Sequence, residues 1–330
     1  MSEIGPPGPD PAAEALRLLL AGDMEAGLAL YRQQLSGDRI PDIPVGMHLL
    51  FLERAGRSDC ARSLLQLALE RGANVAARAG GFGASADEAG NEYEALFARG
   101  IVNSRMILDY LRVLAELGRM EELAAILDRD RLLRQVEIDL PAPGNDGQDL
   151  AAAIEALLLE NEAQAVHQEA VQSVRNMRML KKFTHLDHPA ALALTGALER
   201  ETRRYLEDWA GSGHPFARFV RLDFRIEGWG LISRGPGYNI PHIHQQGWAT
   251  GIYYPTSVEG EGGELCVGRP ADAAGTDEDW ARQCIRPRRG MLVLMPSFYT
   301  HWTTPLTQEG LRTSVAFDVV SPAGFEPATY

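Results

Sequence analysis

The stretch Gly237-Tyr238-Asn239-Ile240-Pro241-His242-Ile243-His244 limits what this 330-residue chain can fold into more than any other. The Pro241 ring clashes with a helical residue before it, so Ile240 is held extended and Pro241 marks a sheet edge or a strand start. On an extended strand residues two apart point to the same face, which puts His242 and His244 side by side. Two imidazoles on one face make half of a metal site. A third, His301, comes 57 residues after His244 and directly after the apolar run Gly290-Met291-Leu292-Val293-Leu294-Met295-Pro296. Eleven residues later Arg312-Thr313-Ser314 opens another strand, which continues to Val320.

The surrounding sequence has the period of strands. Arg221, Asp223 and Arg225 alternate with Leu222, Phe224 and Ile226, the pattern of a half-buried strand. Further strands are expected at 230–233, 250–254, 264–267, 291–295 and 313–320. Gly and Pro punctuate them, and Gly260-Glu261-Gly262-Gly263 is a tight-turn signal. Many short strands between turns point to a sandwich or barrel. Helices are expected over 150–180 and 189–209, packed on the outside of this β-domain. Between them His185-Leu186-Asp187-His188 reads as a loop with a capping Asp rather than as metal ligands.

The first half has the other period. Leu16, Leu19 and Leu20 form one stripe and Leu28, Tyr31 and Leu35 another, so 11–35 reads as two helices broken at Ala21-Gly22-Asp23. The same break recurs at Ala55-Gly56-Arg57-Ser58, 34 residues on, which is the period of a tetratricopeptide repeat. Leu117-Gly118-Arg119-Met120 is a third copy at irregular spacing. The expectation is a tetratricopeptide-like helical array over 11–140, after a disordered start at 1–10. Pro141-Ala142-Pro143-Gly144-Asn145-Asp146-Gly147 begins a linker over 141–149, and the β-domain fills 150–330. The fold class is thus α+β in two parts.

With 45% apolar residues the chain can bury two cores. Its net charge of −13 argues against nucleic-acid or anionic-membrane partners. The beginning of the sequence lacks the basic and apolar regions of a signal peptide. No run approaches 18 apolar residues, so no membrane span is expected. Three scattered cysteines, Cys60, Cys266 and Cys284, are expected as reduced thiols in a cytoplasmic protein.

In their order, paired His, distant His and then Arg-x-Ser, these residues resemble the bacterial 2OG-Fe(II) oxygenase family of the iron(II)/2-oxoglutarate superfamily. The matching text is Pro241 to His244, Gly251-Ile252-Tyr253-Tyr254, Gly262-Gly263-Glu264-Leu265, Pro296 to His301 and Arg312 to Ser314. The resemblance, over about 170–320, implies a double-stranded β-helix of jelly-roll type. It also implies iron(II), 2-oxoglutarate and O2 as cofactors, with release of succinate and CO2. His242, His244 and His301 become the metal ligands, and Arg312 the fork for the distal carboxylate of 2-oxoglutarate. Ser314, Tyr238, Asn239 and Tyr254 become further polar contacts to the cosubstrate or substrate. Trp229, Trp248, Phe298 and Trp302 are read as core or pocket wall.

His244 departs from the superfamily, where a carboxylate is usual. A three-histidine iron site, a two-histidine site with His244 outside the coordination sphere, and a site for another metal are all open at this stage. Glu261, Glu264 and Asp318 are nearby carboxylates that could supply a third ligand. A repeat-like domain beside an oxygenase points to hydroxylation of a peptide, protein or carrier-bound substrate. The alternatives are a three-histidine zinc hydratase or hydrolase, and a non-catalytic interaction protein.

Overall fold

A computed structural model describes residues 10–36, 45–73, 75, 77–81, 83–144, 149–167, 173–245, 247–258, 260–268, 282–306 and 310–320. The proposed disordered start, apart from residue 10, and the middle of the proposed linker lie outside them. Contacts divide the chain into two units, one within residues 1–119 and the other within 120–322.

The first unit is helical: α1 (Pro11–Ala21), α2 (Met24–Gln34), α3 (Val45–Arg54), α4 (Ser58–Glu70), α5 (Ala86–Ala98) and α6 (Ser104–Glu116). Short polar side chains start several of them. Asp10, Asp23 and Asn103 accept hydrogen bonds from the otherwise unpaired amides of Ala12, Ala26 and Met106. Glycine stops them. At Gly22 φ is 92°, and the amides of Gly22 and Asp23 close back onto the carbonyls of Leu19 and Leu18. Gly56 and Gly118 repeat the arrangement at φ 70° and 69°. A side chain at this left-handed position is strained, so the recurring Gly in the sequence is a conformational requirement. The pairs α1–α2, α3–α4 and α5–α6 pack face to face around Leu19, Tyr31, Leu49, Leu64, Tyr93 and Leu114, all essentially buried.

The second unit starts with α7 (Met120–Leu127) and α8 (Arg129–Leu132), then β1 (Arg134–Glu137), α9 (Leu150–Glu160), β2 (Val166–His167), β3 (Val174–Leu180) and α10 (Pro189–Ala210). The remaining strands are β4 (Arg225–Asn239), β5 (Ala249–Tyr254), β6 (Leu265–Val267), β7 (Gln283–Ile285), β8 (Met291–Pro296), β9 (His301–Thr303) and β10 (Leu311–Val320). They form a seven-stranded sheet in the order β1-β8-β5-β10-β4-β3-β2 and a three-stranded sheet in the order β7-β6-β9. Every pairing is antiparallel. α9 lies against the large sheet where Gly230 of β4 leaves room for Leu158. α10 buries Leu194, Leu198, Tyr205 and Trp209 on one face.

Four sequence expectations change. The helix expected over 150–180 ends at Glu160, and Val174–Leu180 is a strand. Its Met and Leu residues suit a helix, but pairing with β4 along Met177 to Leu180 satisfies its backbone instead. The alternating stretch 221–226 is not a strand until Arg225: Arg221 and Asp223 pair with each other at the exposed surface. The capping residue of α10 is His188, whose Nδ1 accepts from the Ala190 amide, rather than Asp187. Cys266 and Cys284 are joined as a disulfide, with Cα atoms 4.0 Å apart, and only Cys60 is a free thiol. The register explains the pairing, since β6 and β7 place these two cysteines directly opposite each other. No helix among the described residues is long and apolar enough to cross a membrane.

Candidate metal centre

After β4 the chain bends at Pro241 and leaves the sheet. His242 does not sit in a strand; it forms an isolated antiparallel bridge with His301. Each of the two amides donates to the other's carbonyl at 3.0 Å. The neighbouring amides continue the contact, Asn239 to Thr303 Oγ1 at 2.8 Å and His244 to the Ser297 carbonyl at 3.1 Å. Residues 239–244 are thereby laid along 297–303, and ligands 57 residues apart in sequence are brought opposite one another.

The three side chains converge. Ring centroids are 4.4 Å apart for His242 and His301, 5.0 Å for His244 and His301, and 5.1 Å for His242 and His244. One nitrogen from each lies within 4.8 Å of the others, and no carboxylate or cysteine joins the cluster among the described residues. The three-histidine reading is therefore the one this geometry supports. Glu264 is occupied elsewhere, by Arg286 at 2.9 Å and by the Thr304 hydroxyl.

Acceptor chemistry fixes the tautomers. His242 Nδ1 lies 2.8 Å from the Ile240 carbonyl and His301 Nδ1 lies 3.0 Å from the Tyr299 carbonyl. A carbonyl oxygen only accepts, so both Nδ1 atoms carry the proton and both Nε2 atoms present a lone pair. His244 Nδ1 is 2.5 Å from Asp318 Oδ1, with the same consequence. A further hydrogen bond behind each ligating imidazole is the usual arrangement of metal-binding histidines. The His242 and His301 rings are also held neutral. Burial, with the nearby His244 imidazole, pushes His242 from 6.5 down to about 3. Burial, then the His242 and His244 rings, drives His301 well below its usual value. Neutral imidazole is the form that binds a metal.

Arg312, on β10, is 4% exposed. Its guanidinium donates to the Gly237 carbonyl at 2.9 Å, and to Thr303 Oγ1 and Met177 Sδ at 3.4 Å each. Gly263 O is a fourth neutral partner, at 3.5 Å. Among the described residues no carboxylate pairs with it. A buried cation with only neutral acceptors is costly, and desolvation lowers the Arg312 pKa accordingly. The arrangement suits a bound anion. Thr303 lies two residues past His301 on β9, which links the cation to the histidine cluster.

Strand alternation sorts the remaining candidates. Arg312, Ser314, Ala316 and Asp318 share one face of β10. Ile252, opposite Ala316, puts Tyr254 on that same face. Burial raises the Tyr254 phenol and the Arg312 charge opposes that rise, so the two are electrostatic neighbours. Tyr238 instead stands opposite Arg175 on β3 and makes no hydrogen bond to the cluster among the described residues. Asn239 contributes its main chain, while its side-chain amide turns to Ser173 at 3.5 Å. Trp229 is more than a wall: it stacks on His244 at 5.8 Å with 9° between the planes. Trp248 and Phe298 pack on Trp209 in the core. His185 bonds Glu227 at 2.9 Å, apart from the cluster.

A donor set of three imidazole nitrogens suits iron(II) and also other first-row divalent metals. Among solved structures the chain is similar to a prolyl-4-hydroxylase from Pseudomonas putida, at 16% identity over 60% of this chain and 98% of that one, TM-score 0.42. It is similar to a Trichoplax adhaerens prolyl hydroxylase in complex with a hypoxia inducible factor peptide, at 13% identity over 62% and 92%, TM-score 0.40. A third is HygX from Streptomyces hygroscopicus with nickel and 2-oxoglutarate bound, at 13% identity over 59% and 85%, TM-score 0.37. No curated protein matches the chain in sequence. Residues 227–318, which carry all three histidines and Arg312, match the family model described as "Putative 2OG-Fe(II) oxygenase".

Proposed function

We propose that the second unit is an iron(II)- and 2-oxoglutarate-dependent dioxygenase. His242, His244 and His301 would hold the iron through their Nε2 atoms. Arg312 would hold the distal carboxylate of 2-oxoglutarate, with the Ser314 and Tyr254 hydroxyls on the same wall. When bound, this pair supplies oxidative decarboxylation of the keto acid to succinate and CO2, coupled to oxidation of a second substrate. The protein's own part is to fix three imidazoles in one tautomer and to keep a cation ready in a site shielded from water. The observation that carries the reading is Arg312: a buried guanidinium whose partners among the described residues are all neutral, linked through Thr303 to the histidine cluster. A zinc hydratase would give that cation no task.

The finer reading is hydroxylation of a peptide, protein or carrier-bound substrate. The support is the helical first unit, with helix–Gly–helix turns 34 residues apart at Gly22 and Gly56. We read it as a tetratricopeptide-like array that recruits a polypeptide.

Anaerobic titration of the iron(II)-loaded protein with 2-oxoglutarate, followed by succinate measurement in air with candidate peptides, tests the assignment. Arg312→Ala should weaken 2-oxoglutarate binding by on the order of 2–4 kcal/mol, because a charge-assisted fork in a buried site is lost. Unchanged affinity in that variant removes 2-oxoglutarate from the proposal.

A further inference from the structure

The hydrogen bonds behind the three histidines are not alike. His242 and His301 each donate to a main-chain carbonyl two residues back, at 2.8 and 3.0 Å. His244 donates to a carboxylate 74 residues away, at 2.5 Å. We propose that Asp318 is a positioning residue for the metal. It aims His244 at the ion, and it supplies from behind that ring the negative charge that a two-histidine, one-carboxylate site places on the ion itself. The inference rests on the reading of the three histidines as metal ligands, and not on 2-oxoglutarate.

The geometry excludes a direct role for the carboxylate. His244 stands between Asp318 and the cluster, and Asp318 is not among the groups whose ligand atoms converge. The pair is also shielded, the side chains being 10% and 13% exposed, so its electrostatic coupling is stronger than at an open surface. Trp229 covers the face of the His244 ring while Asp318 holds its edge. Together the stack and the hydrogen bond restrict the tilt and rotation of the imidazole.

A purely structural role fits the surroundings poorly. Across the sheet Asp318 pairs in register with Glu227 on β4 and with Thr250 on β5. Glu227 is itself an acid, and it already takes Arg225 at 3.1 Å and His185 at 2.9 Å. Among the described residues Asp318 has no Arg or Lys partner; its carboxylate is taken by the His244 imidazole. Two acids opposite each other on neighbouring strands weaken a sheet. A carboxylate kept there is explained by what it does to the imidazole: an anionic acceptor on Nδ1 makes Nε2 a stronger donor. The charge that the superfamily pattern puts on the metal is thus retained, moved outward by one imidazole.

The test uses cobalt(II) as the probe, added without 2-oxoglutarate to the metal-free full-length protein, and reads affinity and the visible ligand-field absorption. Asp318→Asn keeps size and an accepting oxygen but removes the charge. It is expected to bind cobalt(II) about 10–100-fold more weakly, with a shifted absorption. Its metal-free thermal midpoint should be unchanged or higher, since Glu227 loses a like-charged neighbour. Asp318→Glu should bind closer to wild type. His244→Asp should bind cobalt(II) better together with Asp318→Asn than alone, because alone it sets two carboxylates against each other. Wild-type cobalt(II) affinity and absorption in Asp318→Asn would overturn the proposal, as would a loss of affinity matched by an equal loss of metal-free stability. Cobalt(II) binding needs no cosubstrate, so a protein that makes no succinate but shows these differences would fail only the oxygenase reading.

Discussion

Burial beside one another gives His242 and His301 an acid sensitivity that can be read without any metal. His242 keeps its neutral form down to about pH 3, and His301 shifts in the same direction. In the unfolded chain both titrate near 6.5. Between these values the unfolded state binds protons that the folded state refuses, so stability rises with pH across the window. The metal-free protein should have full stability from these groups above about pH 6.5 and lose on the order of 1 kcal/mol per histidine for each pH unit below it. Denaturant midpoints of metal-free protein from pH 7.5 to 4.5 check this; a flat profile would contradict the buried neutral pair. At this scale the sequence was generous where spacing carries the information. His242, His244 and His301, singled out by their order and spacing, do converge, although His242 lies in an isolated bridge rather than on a strand. Asp318 and Trp229 were not legible in the same way. Each acts on His244, from 74 and 15 residues away, and nothing short of the sheet register brings them together.

Among elements, the small sheet bears most directly on the metal. β9 begins at His301, and β6 pairs with it so that Val267 faces His301 and Cys266 faces Trp302. The Cys266–Cys284 disulfide ties β6 to β7 on the far side and closes a loop of 18 residues. A cross-link of that span limits the unfolded chain by about 3 kcal/mol. The paired substitution Cys266→Ser with Cys284→Ser should therefore lower unfolding free energy by roughly that amount. It should also weaken metal binding, through looser support of β9. Equilibrium unfolding with and without metal measures both, and an unchanged metal affinity would show that β9 is held by other contacts. The disulfide escaped the sequence reading because cysteine count and spacing say nothing of register. β3 escaped for a related reason: its Met, Leu and Arg residues suit a helix, and only the open edge of β4 makes it a strand. The helices of the first unit were legible because their signals are local, an Asp or Asn cap at one end and a Gly at the other.

For the molecule as a whole, the division after Arg119 matters more than the Pro- and Gly-rich stretch that begins at Pro141. β1 comes before that stretch, yet it pairs with β8 from Arg134 to Glu137 and completes the large sheet. Residues 120–330 produced alone should therefore fold and bind metal and 2-oxoglutarate, whereas a fragment starting at 150 leaves β8 with a bare edge. Circular dichroism, cobalt(II) titration and size-exclusion profiles of the two fragments compare them; equal behaviour would show that β1 is dispensable. Full turnover of the native substrate by 120–330 would also show that the helical unit is not needed for recognition. Within the large sheet, β10 is the last strand of the described residues and yet lies in the middle, between β5 and β4. During synthesis, then, the ribosome releases β1, β8 and β5 as one ribbon and β4, β3 and β2 as another, each with an unpaired edge awaiting a neighbour not yet made. Until that strand emerges the nascent chain holds two adhesive half-sheets and has neither Arg312 nor Asp318, so its dependence on chaperones should be greatest just before β10 is made.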